Sequence, residues 1–235
     1  IVQQVGAVVG RVMFASLSTV QDDDKKINAI YLRTLHVISL FTFPLCLGLC
    51  VLAEPFVLAL YGDQWVESVP ILRVLSLLGL SQSIGTTTGI IYQAKGRTDW
   101  MFRWGVCAGT FICLAFVIGI QWGLMGLAIA YLIAGWSLTW FNFSIPGRLI
   151  GMKFRDVVMA VQWNLISAIL MAIAVFGVDY AVAANLGYMP RLIVGVALGV
   201  VTYFGLIRLL NPAAFGELQQ IITSLRGQAS TATQV

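Results

Sequence analysis

The sequence predicts an all-α, polytopic membrane helix bundle of about seven transmembrane helices. Three observations predict it. Apolar stretches recur along the 235 residues, each near the roughly 20 residues that cross a bilayer. Only 10% of residues are charged and the mean hydropathy is +0.90, whereas a soluble domain carries about a quarter charged residues. Most of the charge sits in short connections between the apolar stretches.

The elements follow in order. Residues 1–19 read as the end of a spanning helix. Ile1 opens directly into apolar sequence with no charged n-region or cleavage site, so no signal peptide is expected. The chain is therefore expected to be the C-terminal part of a longer protein, cut inside a transmembrane helix. Residues 21–33 are polar, then amphipathic, and are expected as a loop. The next span is 35–53, kinked at Pro44, and Glu54-Pro55 leads into a short interfacial turn. After a polar loop at 62–69, Pro70 suits the first turn of a span over 70–93. Lys95 to Asp99 form a tight turn, and Thr98 or Asp99 can cap the span 101–120. Trp122-Gly123 marks a very short turn before 123–145. A basic loop at 146–156 precedes the spans 158–181 and 191–209. Residues 1–210 are thus expected as one transmembrane bundle, and 211–235, rich in Ser, Thr and Gln, as a polar tail.

The 14 Lys and Arg residues are distributed unevenly. Alternate connections hold Lys25, Lys26 and Arg33, then Lys95, Arg97 and Arg103, then Arg148, Lys153 and Arg155, then Arg208 and Arg226. The opposite side holds only Arg73 and Arg191, with Asp63, Glu67 and Asp179. The positive-inside rule makes the first side cytoplasmic and places the C-terminus there. The four cysteines lie within apolar stretches, and no loop clusters cysteine or histidine, so neither a metal nor another cofactor is expected. No nucleic acid is expected as a partner.

Arg11 lies inside a span, where a charge is costly and faces a cavity or a partner. The alternative is snorkelling to the headgroups. Gln4, Arg11 and Ser18 recur every seven residues, roughly along one face. The span 70–93 is polar at its centre, and Gln82, Thr86, Gly89 and Gln93 share a face at helical spacing. That face reads either as a hydrophilic wall or as interhelical hydrogen bonding. Arg73, one turn into the same helix, is a further cavity candidate, or it pairs with Glu67 or Glu54. Asp22, Asp23 and Asp24 read as a solvated, helix-capping run, because no second acidic motif completes a metal–diphosphate site. His36 reads as an interfacial residue. Gly195, Gly199 and Gly205 suit close helix packing or a surface for a lipid chain.

Several blocks resemble a known family. Phe14-Ala15-Ser16-Leu17-Ser18-Thr19-Val20-Gln21-Asp22-Asp23, Leu60-Tyr61-Gly62-Asp63-Gln64-Trp65 and Pro70-Ile71-Leu72-Arg73-Val74-Leu75 are similar, in this order, to segments of Wzx-type polysaccharide flippases. So are Ala94-Lys95-Gly96-Arg97-Thr98-Asp99 and Trp122-Gly123-Leu124-Met125-Gly126-Leu127-Ala128-Ile129-Ala130-Tyr131. One departure is Ala15, where the family usually has proline. The family belongs to the multidrug/oligosaccharidyl-lipid/polysaccharide exporter (MOP/MATE) superfamily. The resemblance implies two pseudo-symmetric lobes around a central cavity, of which this chain is the C-terminal lobe and lacks the N-terminal one. It implies a non-enzymatic flippase in the bacterial inner membrane, with an undecaprenyl-diphosphate-linked oligosaccharide as substrate. Membrane lipids, the polysaccharide polymerase and the chain-length machinery are the other implied partners. Cavity arginines would bind the diphosphate and polar side chains the sugars. Arg11, Gln4, Gln82, Thr86, Gln93 and Arg73 are the positions offered for those roles. A cation-coupled multidrug exporter of the same superfamily would favour carboxylates within the spans, and a membrane glycosyltransferase or polymerase would need a longer extramembrane loop.

Overall fold

Residues 23–182 and 186–210 are described in a computed structural model of the chain. Helix α1, Asp24–Val51, begins where Asp23 accepts the backbone N–H of Lys26 at 3.1 Å. That N–H and the Lys26 ammonium hold the Asp23 carboxyl below its usual pKa. The expected loop over 21–33 is therefore helical from Asp24 onward. The cause is the stripe Ile27, Tyr31, Leu35 and Ile38, which is buried along one face at the spacing a helix needs.

Pro44 sits inside α1. Proline has no N–H, so the carbonyl four residues earlier, on Leu40, loses its helical donor. The hydroxyl of Tyr203 donates to that carbonyl at 2.7 Å. In hydrocarbon no water could do this instead. Tyr203→Phe is expected to lower stability by about 1–3 kcal/mol, the cost of a buried acceptor left unpaired. Thermal unfolding of the full-length protein in detergent checks this, and an unchanged midpoint would show that the carbonyl finds another donor.

Helix α2, Ala53–Tyr61, follows a break at Leu52. Helix α3, Ser68–Gly85, and helix α4, Thr88–Ala94, cover the stretch expected as one span. They are separated by a tightened turn at Thr86-Thr87, where the Thr87 N–H bonds to the Ile84 carbonyl at 3.4 Å. Helices α5, Thr98–Gly119, and α6, Gly123–Gly147, form a hairpin. A single turn of 3-10 helix, Ile120–Trp122, leads to Gly123 at φ +72, a conformation that L side chains rarely adopt. Helices α7, Phe154–Val182, and α8, Tyr188–Leu210, complete the described residues.

Among the described residues five helical stretches are long and apolar enough to cross a membrane, and one of them, 98–147, is this hairpin of two helices. The protein is an all-α polytopic membrane bundle. Helix α1 is central and packs against α3 and α7, while α8 packs on α7 and α2, and α6 on α5 and α3. The core joins Tyr31, Leu35, Ile91, Phe143 and Val175 from four helices with Ile150 from the turn between α6 and α7. The hairpin is peripheral: Phe102, Leu114, Val117 and Ile133 are exposed, as lipid-facing residues would be.

His36 lies on the seam between α1 and α7. It stands twelve residues past Asp24, about 18 Å along α1, and its Nδ1 lies 2.8 Å from the Ala160 carbonyl of α7. Asn164 of α7 donates to the His36 carbonyl at 2.9 Å and to Ser39 Oγ at 2.8 Å. These bonds make the α1–α7 seam polar.

Candidate functional site

The face of α3 and α4 that turns away from the core is the candidate site. Ser81, Ser83, Thr87 and Thr88 are buried, and their hydroxyls donate to carbonyls of the preceding turn. Between them, Gln82 is half-buried and Thr86 and Gln93 are exposed. The row from Gln82 to Gln93 runs about 16 Å along the helix axis. Gln82 donates through Nε2 to the Tyr131 hydroxyl of α6 at 2.6 Å. That bond leaves its carbonyl oxygen as an acceptor beside the exposed Thr86.

The tightened turn that shapes this face has its own support. Asn142 of α6 donates to the Gly85 carbonyl at 3.1 Å. Its Oδ1 accepts from Thr88 Oγ1 at 3.2 Å and from Trp104 Nε1 at 3.0 Å. One side chain thus ties α3, α4, α5 and α6 together, and Gly85 gives it room: a Cβ there would meet Asn142 Nδ2 at 2.9 Å. Asn142 was not among the residues singled out from the sequence. An amide inside an otherwise apolar helix was the available signal.

Arg73 is not brought to the row. It lies nine residues before Gln82, which is half a rotation of the helix, and its guanidinium is 3.7 Å from Glu54 of α2. Arg191 and Asp179, expected only as charges on the sparsely basic side, form a buried pair between α7 and α8. Gln4 and Arg11 lie outside the described residues, as do the span 1–19 and the tail 211–235. Gly195 serves close packing, since a Cβ there would lie 2.6 Å from Leu52. A hollow of about 390 Å³ runs between α1 and α8 beside Pro44, Gly48, Gly195 and Gly199. Its apolar lining offers nothing to a sugar or phosphate. Among the described residues no three His, Cys, Asp or Glu side chains meet to hold a metal.

The family described as "Polysaccharide biosynthesis protein" matches residues 1–70. The chain is 30% identical over 157 residues to the lipopolysaccharide biosynthesis protein WzxC of Escherichia coli, a match covering 65% of this chain and 32% of that one. It is 26% identical to the teichuronic acid biosynthesis protein TuaB of Bacillus subtilis over 88% of this chain and 43% of that one. It is 28% identical to the succinoglycan biosynthesis transport protein ExoT of Rhizobium meliloti over 96% and 46% respectively. The chain therefore spans less than half the length of these curated relatives. No solved structure matches it. At family level, this multi-pass membrane chain is similar to Wzx-type proteins of polysaccharide biosynthesis.

Proposed function

We propose that the chain is the C-terminal lobe of a flippase that moves undecaprenyl-diphosphate-linked oligosaccharide across the bacterial inner membrane by alternating access. In this reading the protein is a transporter rather than an enzyme, and its more basic end is cytoplasmic. The observation that carries the reading is the split within one element. Ser81, Ser83, Thr87 and Thr88 are buried with their hydroxyls on the helix's own carbonyls, whereas Gln93 and Thr86, whose hydroxyl is 3.5 Å from the Ser83 carbonyl, are exposed, and Gln82 is half-buried with its Nε2 on Tyr131. Polar side chains at membrane depth face a partner or a water-filled space, and a second lobe enclosing a cavity would supply it. There Gln82, Thr86 and Gln93 contact sugar hydroxyls, and Arg11, with Gln4 beside it, contacts the diphosphate.

The test is polymer export by the full-length protein. Gln82→Leu with Thr86→Val is expected to reduce surface polysaccharide at least about tenfold, the effect of losing two polar contacts of about 1 kcal/mol each, at unchanged membrane abundance. Arg11→Ala should reduce export further. Wild-type export by both variants would remove the cavity assignment and leave interhelical bonding and snorkelling as the roles of these residues.

A further inference from the structure

The turn between α6 and α7 carries charge that its own neighbours do not neutralise. Arg148, Lys153 and Arg155 fall within eight residues, and all three are exposed. Asp156, the carboxylate beside them, accepts the backbone N–H of Lys153 at 2.9 Å and so caps α7. No ion pair seen among the described residues involves Arg148, Lys153 or Arg155.

The turn is also well anchored. Ile150 and Met152 are buried in the core, and the Met152 N–H bonds to the Gly147 carbonyl at 2.9 Å. The three cations are therefore held at one end of the bundle, where spans meet headgroups. The two helices that leave the turn expose apolar surface to the membrane. Trp140 and Phe141 are exposed on α6, and Met159 and Trp163 on α7. Trp140 and Trp163 each lie eight residues from the nearest of the cations, about 12 Å deeper along their helices.

A rim of three cations above an apolar, membrane-facing wall matches one kind of molecule. We propose that this turn is a binding site for an anionic glycerophospholipid of the surrounding leaflet. Its phosphate is held by Arg148, Lys153 and Arg155, and its acyl chains lie along α6 and α7. A soluble anion would gain nothing from the wall, and a zwitterionic lipid brings its own cation to the rim. Basic side chains at a membrane surface each strengthen attraction to anionic lipid about fivefold, so three of them can select one lipid class from a mixed bilayer. The site does not depend on which substrate the protein transports.

The experiment uses the full-length protein in an equimolar mixture of phosphatidylglycerol and phosphatidylcholine, with retained lipid counted by native mass spectrometry. Wild type is expected to retain phosphatidylglycerol about tenfold over phosphatidylcholine, less so as salt rises. R148Q/K153Q/R155Q should remove most of that excess. R148K/R155K should keep it, and so should K25Q/K26Q at the same end of the bundle. If the triple variant does not fold, R148Q and R155Q singly should each lose part of the excess. Equal retention of the two lipids by wild type, or an undiminished excess in the glutamine variants, would overturn the proposal. Displacement of phosphatidylglycerol by equimolar polyprenyl phosphate would overturn it as well, and would assign the turn to the substrate's headgroup.

Discussion

Asp179→Ala is expected to destabilise the full-length protein by about 3 kcal/mol, because it leaves a buried guanidinium without its counter-ion. Arg191 donates through Nε and Nη2 to the two carboxylate oxygens of Asp179, at 3.0 and 2.8 Å. The two side chains are only 8% and 12% exposed. They join the last turn of α7 to the first turn of α8, and no other ion pair among the described residues links these two helices. A surface pair would contribute little, but here water cannot replace the lost carboxylate. The double variant Asp179→Ala with Arg191→Met removes the orphaned charge and should recover most of the loss. Thermal unfolding in detergent reads both. A shift below about 0.5 kcal/mol for the single variant, the size typical of an exposed pair, would mean that the site is wet.

The second large effect is expected at the α5–α6 hairpin. Gly126→Val should cost about 3 kcal/mol, the upper range for overpacking, and should separate the two helices near the turn. A Cβ on Gly126 would sit 2.5 Å from the Gly119 carbonyl oxygen and 2.6 Å from Trp122 Cβ. One on Gly119 would sit 2.7 Å from Ala130 Cβ and 2.8 Å from the Gly126 carbonyl oxygen. Backbone cannot rotate out of the way as a side chain can, so the helices must part. Gly109→Val, on α5 with nothing within 4 Å of its Cβ position, is the control and should be near neutral. Cysteine cross-linking between α5 and α6 measures the separation, and equal cross-linking in the two variants would refute the close approach.

Much of the architecture was legible because the bilayer imposes a length on every crossing. Among the described residues the apolar stretches found in the sequence fall in helices, and Gly123 stands where the hairpin turns. What was misread has a common cause. The 21–33 segment looked like a loop by its charge, but Ile27 and Tyr31 have a core to enter, with Tyr31 bonded to Thr87 at 3.0 Å. Hydropathy alone cannot see that core. The stretch 70–93 read as one helix, since its break is made by Asn142, more than fifty residues away in the chain.

The candidate site divides along the same line. Period alone put Gln82, Thr86, Gly89 and Gln93 on one face, where Thr86 and Gln93 are exposed and Gln82 and Gly89 are half-buried. The same reasoning left Arg73 between a cavity and a pair with Glu67 or Glu54, and the structure gives it Glu54.

Class, helix content and the uneven placement of basic residues were determined by the sequence itself, because burial in hydrocarbon is set by local composition and each helix satisfies its own backbone. Tertiary structure alone decided the partners of the polar groups: Tyr203 for the carbonyl that Pro44 frees, Asn142 for Gly85, Asp179 for Arg191. In a bilayer those groups have no water to turn to. Their partners are therefore fixed by which helices pack together, and that is a property of the whole bundle rather than of any one span.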